Sequence, residues 1–299
     1  MSTATYDRSD AKEVAEIVID SGPLNLFTPE LFSDLEAAVS RAADERPRAL
    51  IVRAEGDVFS AGVDVHVFDG LGADGARALT ERLLGLTHAL EDLPLPTLAV
   101  VHGLCLTAGL ELALACDLMW AADDARFGLV EKVVGITPLM GGTQRMAERA
   151  GTARAREFVM TGRLYPASDL HAWGVVNRVL GGGELLEKSR TFAADLAAGP
   201  TIAHAATKAI VRAQADHGTR GADARDRRAD VPPLRNRGLT QRREVLPAGR
   251  PRQGIVRRSL RKRVQSLHYS QVNRRLHGRL PRREAQGDPG APQGASPNG

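Results

Sequence analysis

GLCLTAGLELALACD (residues 103–117) decides the fold of this chain and directs the search for its function. Small residues open a helix here, with Thr107, Ala108 and Gly109 in its first turn and Glu111 about one turn further in. The free N–H groups and the dipole at a helix N-terminus favour negative charge. The stretch therefore predicts a place that stabilises an anion, with a carboxylate close by.

Two other stretches supply similar parts. FSAGVD (59–64) leaves a strand through Ser-Ala-Gly, which lets consecutive N–H groups point at one spot. FGLVEKVVGITPLMGGTQR (127–145) places Glu131 before a Gly-Ile-Thr-Pro turn and a Gly-Gly pair. Taken alone, Glu131 is typical of a solvated surface carboxylate. Two amide turns together with two carboxylates, however, are what an enzyme needs to stabilise an enolate oxygen and to move protons beside it.

The rest of the pattern predicts an α/β protein. Runs of β-favouring apolar residues predict strands over 13–20, 49–53, 97–103, 117–122 and 175–179. Apolar residues at helical spacing predict a helix after an N-cap at Thr28, and further helices over 73–92, 106–117, 143–150, 152–160, 184–198 and 201–215. Strands that alternate with helices indicate α/β architecture.

Charge divides the chain into an acidic body and a basic tail. The first 223 residues carry 21 Lys and Arg against 31 Asp and Glu, whereas the remainder carries 19 against 5. All seven Phe and both Trp lie in the body, and Tyr269 is the only aromatic residue of the tail. The tail has little with which to build a core, so we expect function in the body. The overall composition excludes collagen-like, coiled-coil and wholly disordered classes.

Cysteine usage and hydropathy bear on location. Cys105 and Cys116 lie in apolar surroundings without CxxC spacing, so we expect buried free thiols and neither a disulfide framework nor a zinc site. The first residues lack the apolar stretch of a signal peptide, and no run of about 18 uncharged apolar residues occurs. These features predict a soluble cytoplasmic protein with no membrane partner.

The three stretches, in this order and with Glu131 20 positions after Glu111, resemble the enoyl-CoA hydratase/isomerase, or crotonase, superfamily. The resemblance runs from about residue 13 to 224 and includes TGRLYPASDLHAWGVVNRV (161–179) and AAGPTIAHAATKAIV (197–211). It implies a ClpP/crotonase-like spiral of β-β-α units with a helical C-terminal region. The domains expected on this basis are a crotonase core over 1–199, the start of the helical trimerisation region over 200–224, and an atypical Arg-rich tail over 225–299.

The resemblance also implies the roles of particular residues. The backbone N–H groups of Val63 and Ala108 correspond to the oxyanion hole that binds a thioester carbonyl oxygen, although the family usually has Ala and Gly at these positions. Glu111 and Glu131 correspond to the pair of acids found in the hydratases. The residues expected to bind the coenzyme A substrate are Ala61, Val63, Asp64, Val65, His66 and Ala108. For His66 a solvated or structural role is favoured over contact with the phosphates.

The implied activity is hydration of a trans-2-enoyl-CoA, in fatty acid or related acyl-CoA degradation, because both acids are present. Coenzyme A is then part of the substrate, and neither a metal nor a redox cofactor is expected. Two alternatives stay open: an isomerase or another acyl-CoA lyase of the same fold, and a crippled homologue whose basic tail binds an acidic partner. The family resemblance predicts a homotrimer or hexamer, unless the altered tail prevents it. Nucleic acid is not an expected partner, because the tail lacks interleaved aromatic residues.

The tail departs from the family pattern, and a shift of the reading frame would explain the departure. Allowed codons for residues 233–260, read one base later, can yield LFETEDLRNGVKSFLQAGPGKASFEGR followed by a stop codon, which looks like the missing family C-terminus. We therefore predict a one-base frameshift near residues 225–231, natural or from sequencing, with residues 260–299 as read-through. The tail as it stands is expected to be disordered.

Overall fold

Two β-sheets form the framework of the protein. The computed structural model describes residues 3–8 and 13–226, so almost all of the predicted Arg-rich tail lies outside the described residues. The described strands are β1 (Ala4–Asp7), β2 (Val14–Ile19), β3 (Ala49–Ala54), β4 (Thr97–Val101), β5 (Leu104–Leu106), β6 (Leu118–Ala122), β7 (Arg126–Gly128), β8 (Tyr165–Pro166) and β9 (Arg178–Leu180).

Helices connect these strands and cover them. The described helices are α1 (Pro29–Glu45), α2 (Ala73–Glu91), α3 (Thr107–Leu114), α4 (Gly142–Ala150), α5 (Thr152–Thr161), α6 (Ala167–Ala172), α7 (Gly182–Ala197) and α8 (Thr201–Asp226). Two short 3₁₀ turns, Val65–Phe68 and Glu131–Val134, lie in the loops. The alternation of strands and helices confirms the predicted α/β class.

The larger sheet is mostly parallel. Its order is β1-β2-β3-β4-β6-β9, and only the β1–β2 pair is antiparallel. All five residues of β4 are buried, as expected for a parallel strand covered on both faces. The smaller sheet has the order β5-β7-β8. Its first strand leads directly into α3, so this sheet fixes the start of the helix that carries Glu111.

Helix α1 begins as the sequence predicts. The Thr28 hydroxyl accepts a hydrogen bond from the Leu31 N–H, and Pro29 occupies the first helical position, where its missing N–H costs nothing. The apolar face of the helix packs into the core, where Phe27 and Phe32 make an edge-on ring contact with centroids 5.3 Å apart. This packing holds Phe27 beside the loop that follows β3.

Several predicted boundaries differ from the structure, and hydrogen bonds explain two of these differences. The strand predicted over 175–179 is displaced to Arg178–Leu180, because the N–H groups of Val175 and Val176 both donate to the carbonyl of Leu170 in a buried turn. The helix predicted over 106–117 ends at Leu114. Asp117 instead accepts hydrogen bonds from the backbone and side chain of Thr97, which joins the helix end to the sheet.

The last described helix is longer than predicted. Helix α8 runs to Asp226, beyond the expected end at residue 215, and Gly218 interrupts it with φ 68° and ψ 172°. Such a backbone conformation is open to glycine and costly for other residues. Within the described part of the chain, no helix combines the length and apolarity that crossing a bilayer requires.

Candidate active site

The loop after β3 presents the first predicted oxyanion donor, the Val63 N–H. Gly62 turns the chain with φ 110°, and its carbonyl accepts a hydrogen bond of 2.9 Å from the Phe27 N–H. The Asp64 N–H donates in turn to the Phe27 carbonyl at 3.1 Å. A Cβ added at residue 62 would lie 2.1 Å from Thr107 Oγ1, so this loop lies directly against the start of α3.

Ser60 joins the same loop to the smaller sheet. Its N–H donates to the Leu104 carbonyl at 3.0 Å, and its own carbonyl accepts from the Leu106 N–H at 2.9 Å. Its Cβ leaves no room for a side chain at Gly109, where an added Cβ would lie 2.6 Å away. These contacts bring the two predicted amide turns together. The buried Cys105 lies between the two bonded strand residues as a free thiol, as predicted.

The N-terminus of α3 presents the second predicted donor, the Ala108 N–H. Ala108 is the second residue of the helix, where the N–H has no intrahelical acceptor. No acceptor for it occurs elsewhere among the described residues. The preceding residue, Thr107, has φ 43°, and its hydroxyl oxygen accepts a hydrogen bond of 3.2 Å from the Val63 N–H. One predicted donor is thus free, and the other is bonded to a side chain.

Glu111 is a buried carboxylate held by backbone amides. Its side chain is 3% exposed, and Oε1 accepts hydrogen bonds of 2.8 Å from the N–H groups of Met140 and Gly142. Gly142 permits this approach, because a Cβ there would lie 2.7 Å from Glu111 Cγ. Burial, followed by repulsion from Glu131, raises the pKa of Glu111 to about 8, although the two amides oppose the rise.

Glu131 is buried without such support. It is 6% exposed, and neither of its carboxylate oxygens has a hydrogen-bond partner in another described residue. Burial raises its pKa to about 7, against a smaller opposing effect of its own backbone N–H. An unpartnered buried carboxyl group is expensive to maintain, and such groups concentrate where chemistry occurs.

One small cavity brings these groups together. Its walls include four predicted site residues, Val63, Ala108, Glu111 and Glu131, and also Thr107. The cavity volume is about 20 Å³. Because a water molecule needs roughly 10–15 Å³ of such space, the cavity has room for about one. The structure therefore places the two carboxyl groups and the start of α3 around a site of water-molecule size.

The Met140 backbone is held through both its N–H and its carbonyl, which belong to two successive peptide groups. Its N–H holds Glu111, and its carbonyl accepts hydrogen bonds of 3.1 Å from Thr87 Oγ1 on α2 and Arg145 Nη1 on α4. Arg145 also pairs with Glu91, with 2.6 Å between Nη2 and Oε2. Helices α2 and α4 thus fix the amide that positions the first carboxylate.

The residues expected to bind coenzyme A differ in exposure, and two of them, Val63 and Ala108, line this cavity. Ala61 and Asp64 are half-buried, whereas Val65 and His66 are exposed. His66 Nδ1 lies 3.0 Å from Asp69 Oδ2, and this contact, with the nearby Asp64, raises the pKa of His66. Two carboxylates beside His66 disfavour a phosphate there. This arrangement supports the solvated or structural role favoured for His66.

A larger cavity of about 690 Å³ lies between α8 and the helices α3 and α4. It contains none of the predicted site residues. Lys208 and Arg212 have acidic partners there, with Lys208 Nζ 2.9 Å from Asp117 Oδ2 and Arg212 Nη2 3.9 Å from Glu91 Oε2, whereas Arg149 donates to the carbonyl of Leu114 at 2.9 Å. The unpartnered carboxyl group and the free helix N–H both lie in the smaller cavity, which we therefore take as the active site.

Sequence reasoning missed several contributors to this site. It did not identify the amides of Met140 and Gly142 as partners of Glu111, since residues 29 and 31 positions apart meet only in the fold. The Gly-Gly pair was evident in the sequence, but its contact with Glu111 was not. The contact between Thr107 and Val63 had no signal either. Apolar side chains that line the cavity were also not foreseen: Phe32, Phe68, Leu83, Ile136 and Leu139.

Comparisons with known proteins agree with this geometry. The family model described as enoyl-CoA hydratase/isomerase matches residues 9–231. A Bacillus subtilis protein named "Probable enoyl-CoA hydratase" is 35% identical over 189 residues, which cover 62% of this chain and 72% of that protein. The human "Enoyl-CoA hydratase domain-containing protein 2, mitochondrial" is 37% identical over 161 residues, and the match covers 54% of each chain. The match thus spans only about half of the human protein.

The fold also matches that of solved structures. The crystal structure of an enoyl-CoA hydratase from Bacillus anthracis is 27% identical, with a TM-score of 0.69, and the match covers 77% of this chain and 91% of that chain. The predicted crotonase fold is thereby confirmed. Since the family model covers well over half of the sequence and the architecture matches throughout the same region, the chain belongs to the enoyl-CoA hydratase/isomerase family of the crotonase superfamily.

Proposed function

We propose that this protein is an enoyl-CoA hydratase, which adds water across the double bond of a trans-2-enoyl-CoA thioester. Its family comprises crotonase-type enzymes of acyl-CoA thioesters. One observation carries the proposal: two buried carboxyl groups, Glu111 and Glu131, with pKa values of about 8 and about 7, share a water-sized cavity beside a helix N-terminus.

The first requirement is polarisation of the thioester carbonyl. Its oxygen would accept a hydrogen bond from the Ala108 N–H, aided by the positive end of the α3 dipole. The Val63 N–H, the second donor that the family resemblance implies, is bonded to the Thr107 hydroxyl. Withdrawal of charge towards the oxygen makes the β-carbon electrophilic and stabilises the enolate that forms when water adds.

The second requirement is a positioned water molecule and a proton for the α-carbon. Glu111 is held by two amides through Oε1, which leaves Oε2 to hold the water. The carboxyl groups titrate as a coupled pair and share about one proton near neutral pH. In the form of the pair that has Glu111 ionised and the shared proton on Glu131, the water oxygen bonds to the β-carbon and gives a proton to Glu111, while Glu131 gives its proton to the α-carbon. Transfer of the new proton from Glu111 to Glu131 restores the pair.

A second candidate reaction is isomerisation of the double bond. It needs one carboxyl group that removes a proton at one carbon and returns it at another. Glu131, which no other described side chain or amide holds, is suited to this movement, whereas Glu111 is fixed. An isomerase would therefore depend on Glu131 and tolerate the loss of Glu111.

The test uses the purified full chain with crotonyl-CoA and with longer and aromatic trans-2-enoyl-CoA esters. Glu111→Gln and Glu131→Gln should each lower hydration by about 100-fold or more, since positioned acid–base catalysis contributes roughly 10² to 10⁴. The exposed Glu187 on α7 provides the matched control, Glu187→Gln, which should hydrate at the wild-type rate. Thioester binding should survive in all three variants, because the backbone donors remain.

Two results would contradict the proposal. Full hydration by Glu111→Gln or Glu131→Gln would remove that carboxyl group from the mechanism. Isomerisation that persists in Glu111→Gln, with no hydration by the wild type, would favour the isomerase.

A further inference from the structure

The Thr107 hydroxyl occupies an unusual place in the active site. Its oxygen accepts the hydrogen bond from one predicted oxyanion donor, the Val63 N–H, and the next residue in the chain carries the other, the Ala108 N–H. Thr107 is buried and lines the same cavity as the two glutamates. The Val63 N–H is therefore already bonded to this hydroxyl and is not free for a thioester oxygen while that contact lasts.

The backbone conformation of Thr107 is one that threonine rarely adopts. Its φ of 43° lies in the left-handed region, which is costly for a β-branched residue and free of strain for glycine. Strained residues of this kind concentrate at functional sites. The ordinary reason for threonine at a helix start is absent, because α3 has no side-chain cap. The described contact of the hydroxyl is with the Val63 loop and not with the helix.

The hydrogen-bond capacity of the hydroxyl is only half used. A threonine hydroxyl both accepts and donates, and here the oxygen accepts from the Val63 N–H. No acceptor for its proton occurs in the region that the structure describes. A hydroxyl that accepts from an amide is polarised into a stronger donor. The free O–H thus lies in the cavity wall, on the residue next to the free Ala108 N–H.

We propose that the Thr107 hydroxyl, polarised by the Val63 N–H, is the second donor of the oxyanion hole and acts with the Ala108 N–H on the thioester oxygen. This inference rests on the proposed thioester chemistry. Val63 then acts through Thr107 instead of contacting the substrate. The other role open to the hydroxyl is that of a plug, which occupies the Val63 N–H and leaves when the substrate binds.

Three substitutions separate these roles. Thr107→Val keeps the shape and removes the hydroxyl, so hydration of crotonyl-CoA should fall by roughly 10² to 10³, the effect of losing one oxyanion donor. Thr107→Ser keeps the hydroxyl and should lose less than about threefold. Thr107→Gly frees the Val63 N–H to donate directly and suits the positive φ, so it should recover at least about tenfold over Thr107→Val.

A spectroscopic measurement reports the donor without turnover. Butanoyl-CoA labelled with ¹³C at the carbonyl is saturated and does not react, and its C=O stretching frequency falls when donors polarise the oxygen. The frequency should be low in the wild type and Thr107→Ser, and closer to that of free butanoyl-CoA in Thr107→Val. Circular dichroism and thermal unfolding of each variant check that the fold is retained.

Distinct outcomes overturn the inference. Equal hydration and equal carbonyl frequency in Thr107→Val and Thr107→Ser would show that the hydroxyl donates nothing. Hydration by Thr107→Gly well above the wild type would identify the hydroxyl as a plug. A wild-type protein that neither hydrates nor binds any thioester would overturn the proposed function itself, whereas the first two results leave that function standing.

Discussion

The cost of burying Glu131 should be measurable as a pH-dependent loss of stability. Folding raises the pKa of this carboxyl group from 4.5 to about 7, because the side chain is buried and no other described residue hydrogen-bonds to its oxygens. The unfolded chain thus ionises the group at lower pH than the folded protein does. Stability due to the protonated group is fully present below pH 4.5 and is lost as the pH rises through about 7.

The structure sets the size of this loss. A rise of about 2.5 pKa units corresponds to about 3 kcal/mol of unfolding free energy once the pH exceeds the folded pKa. Glu131→Gln removes the ionisation, and the cost of burying its amide does not change with pH. The variant also removes the repulsion that raises the pKa of Glu111, which acts in the same direction. The variant should therefore gain about 3 kcal/mol on the wild type between about pH 4.5 and about pH 7.

Urea unfolding, followed by the fluorescence of Trp120 and Trp173, measures this difference. The wild type, Glu131→Gln and the control Glu187→Gln would be compared at intervals from about pH 4.5 to about pH 8, which spans the unfolded and folded pKa values. The gap between the wild type and Glu131→Gln should widen as the pH rises, and the gap to the control should stay constant. A constant gap for Glu131→Gln would refute the reasoning, since the carboxyl group would then ionise equally in both states.

Three other predictions follow from the site and the tail. Gly142→Ala should lower the rate of hydration at least tenfold, because the added Cβ would lie 2.7 Å from Glu111 Cγ. The control Gly85→Ala, where no heavy atom lies within 4 Å of the added Cβ, should keep the wild-type rate. Equal rates for the two variants in an enzyme assay would contradict the packing argument. The rate of hydration should peak near neutral pH and fall on both sides, since the carboxyl pair must hold one proton, and a rate profile flat from about pH 5 to about pH 9 would exclude this. The nucleotide sequence should give the family-like string one base out of register for residues 233–260, and other codons there would contradict the frameshift hypothesis. The frame-restored chain should sediment as a larger assembly than the present chain, and equal sedimentation would contradict the expected effect of the tail on assembly.

Local signals in the sequence predicted most of the fold. The cap at Thr28, the proline that follows it and the apolar run of β4 each determine an element through their nearest neighbours. The short strands β5, β7 and β8 were not predicted, because two or three residues carry no periodicity of their own. They exist through pairing across the chain, such as the bridge between Ser60 and Cys105.

The candidate site was predictable in its residue types and not in its connections. Glu111 and Glu131 were identified through the family resemblance, and the structure places them around one cavity. The sequence did not show that backbone amides hydrogen-bond to Glu111 whereas no other described residue does so to the Glu131 oxygens, since the amides that hold Glu111 come from a distant turn. The positive φ of Thr107 was not predictable from the sequence either. Threonine does not signal a left-handed backbone, and only the close approach of Gly62 reveals what its hydroxyl contacts.

Hydrogen bonds and ion pairs around the Met140 backbone link the candidate site to the last described helix. Its carbonyl accepts from Arg145, Arg145 pairs with Glu91, and Glu91 also lies 3.9 Å from Arg212 on α8. We expect a displacement of α8 to loosen these contacts and to shift the Met140 backbone, and with it the N–H that binds Glu111. The pKa of Glu111 is therefore expected to depend on how α8 packs, although no described side chain of this helix lines the water-sized cavity.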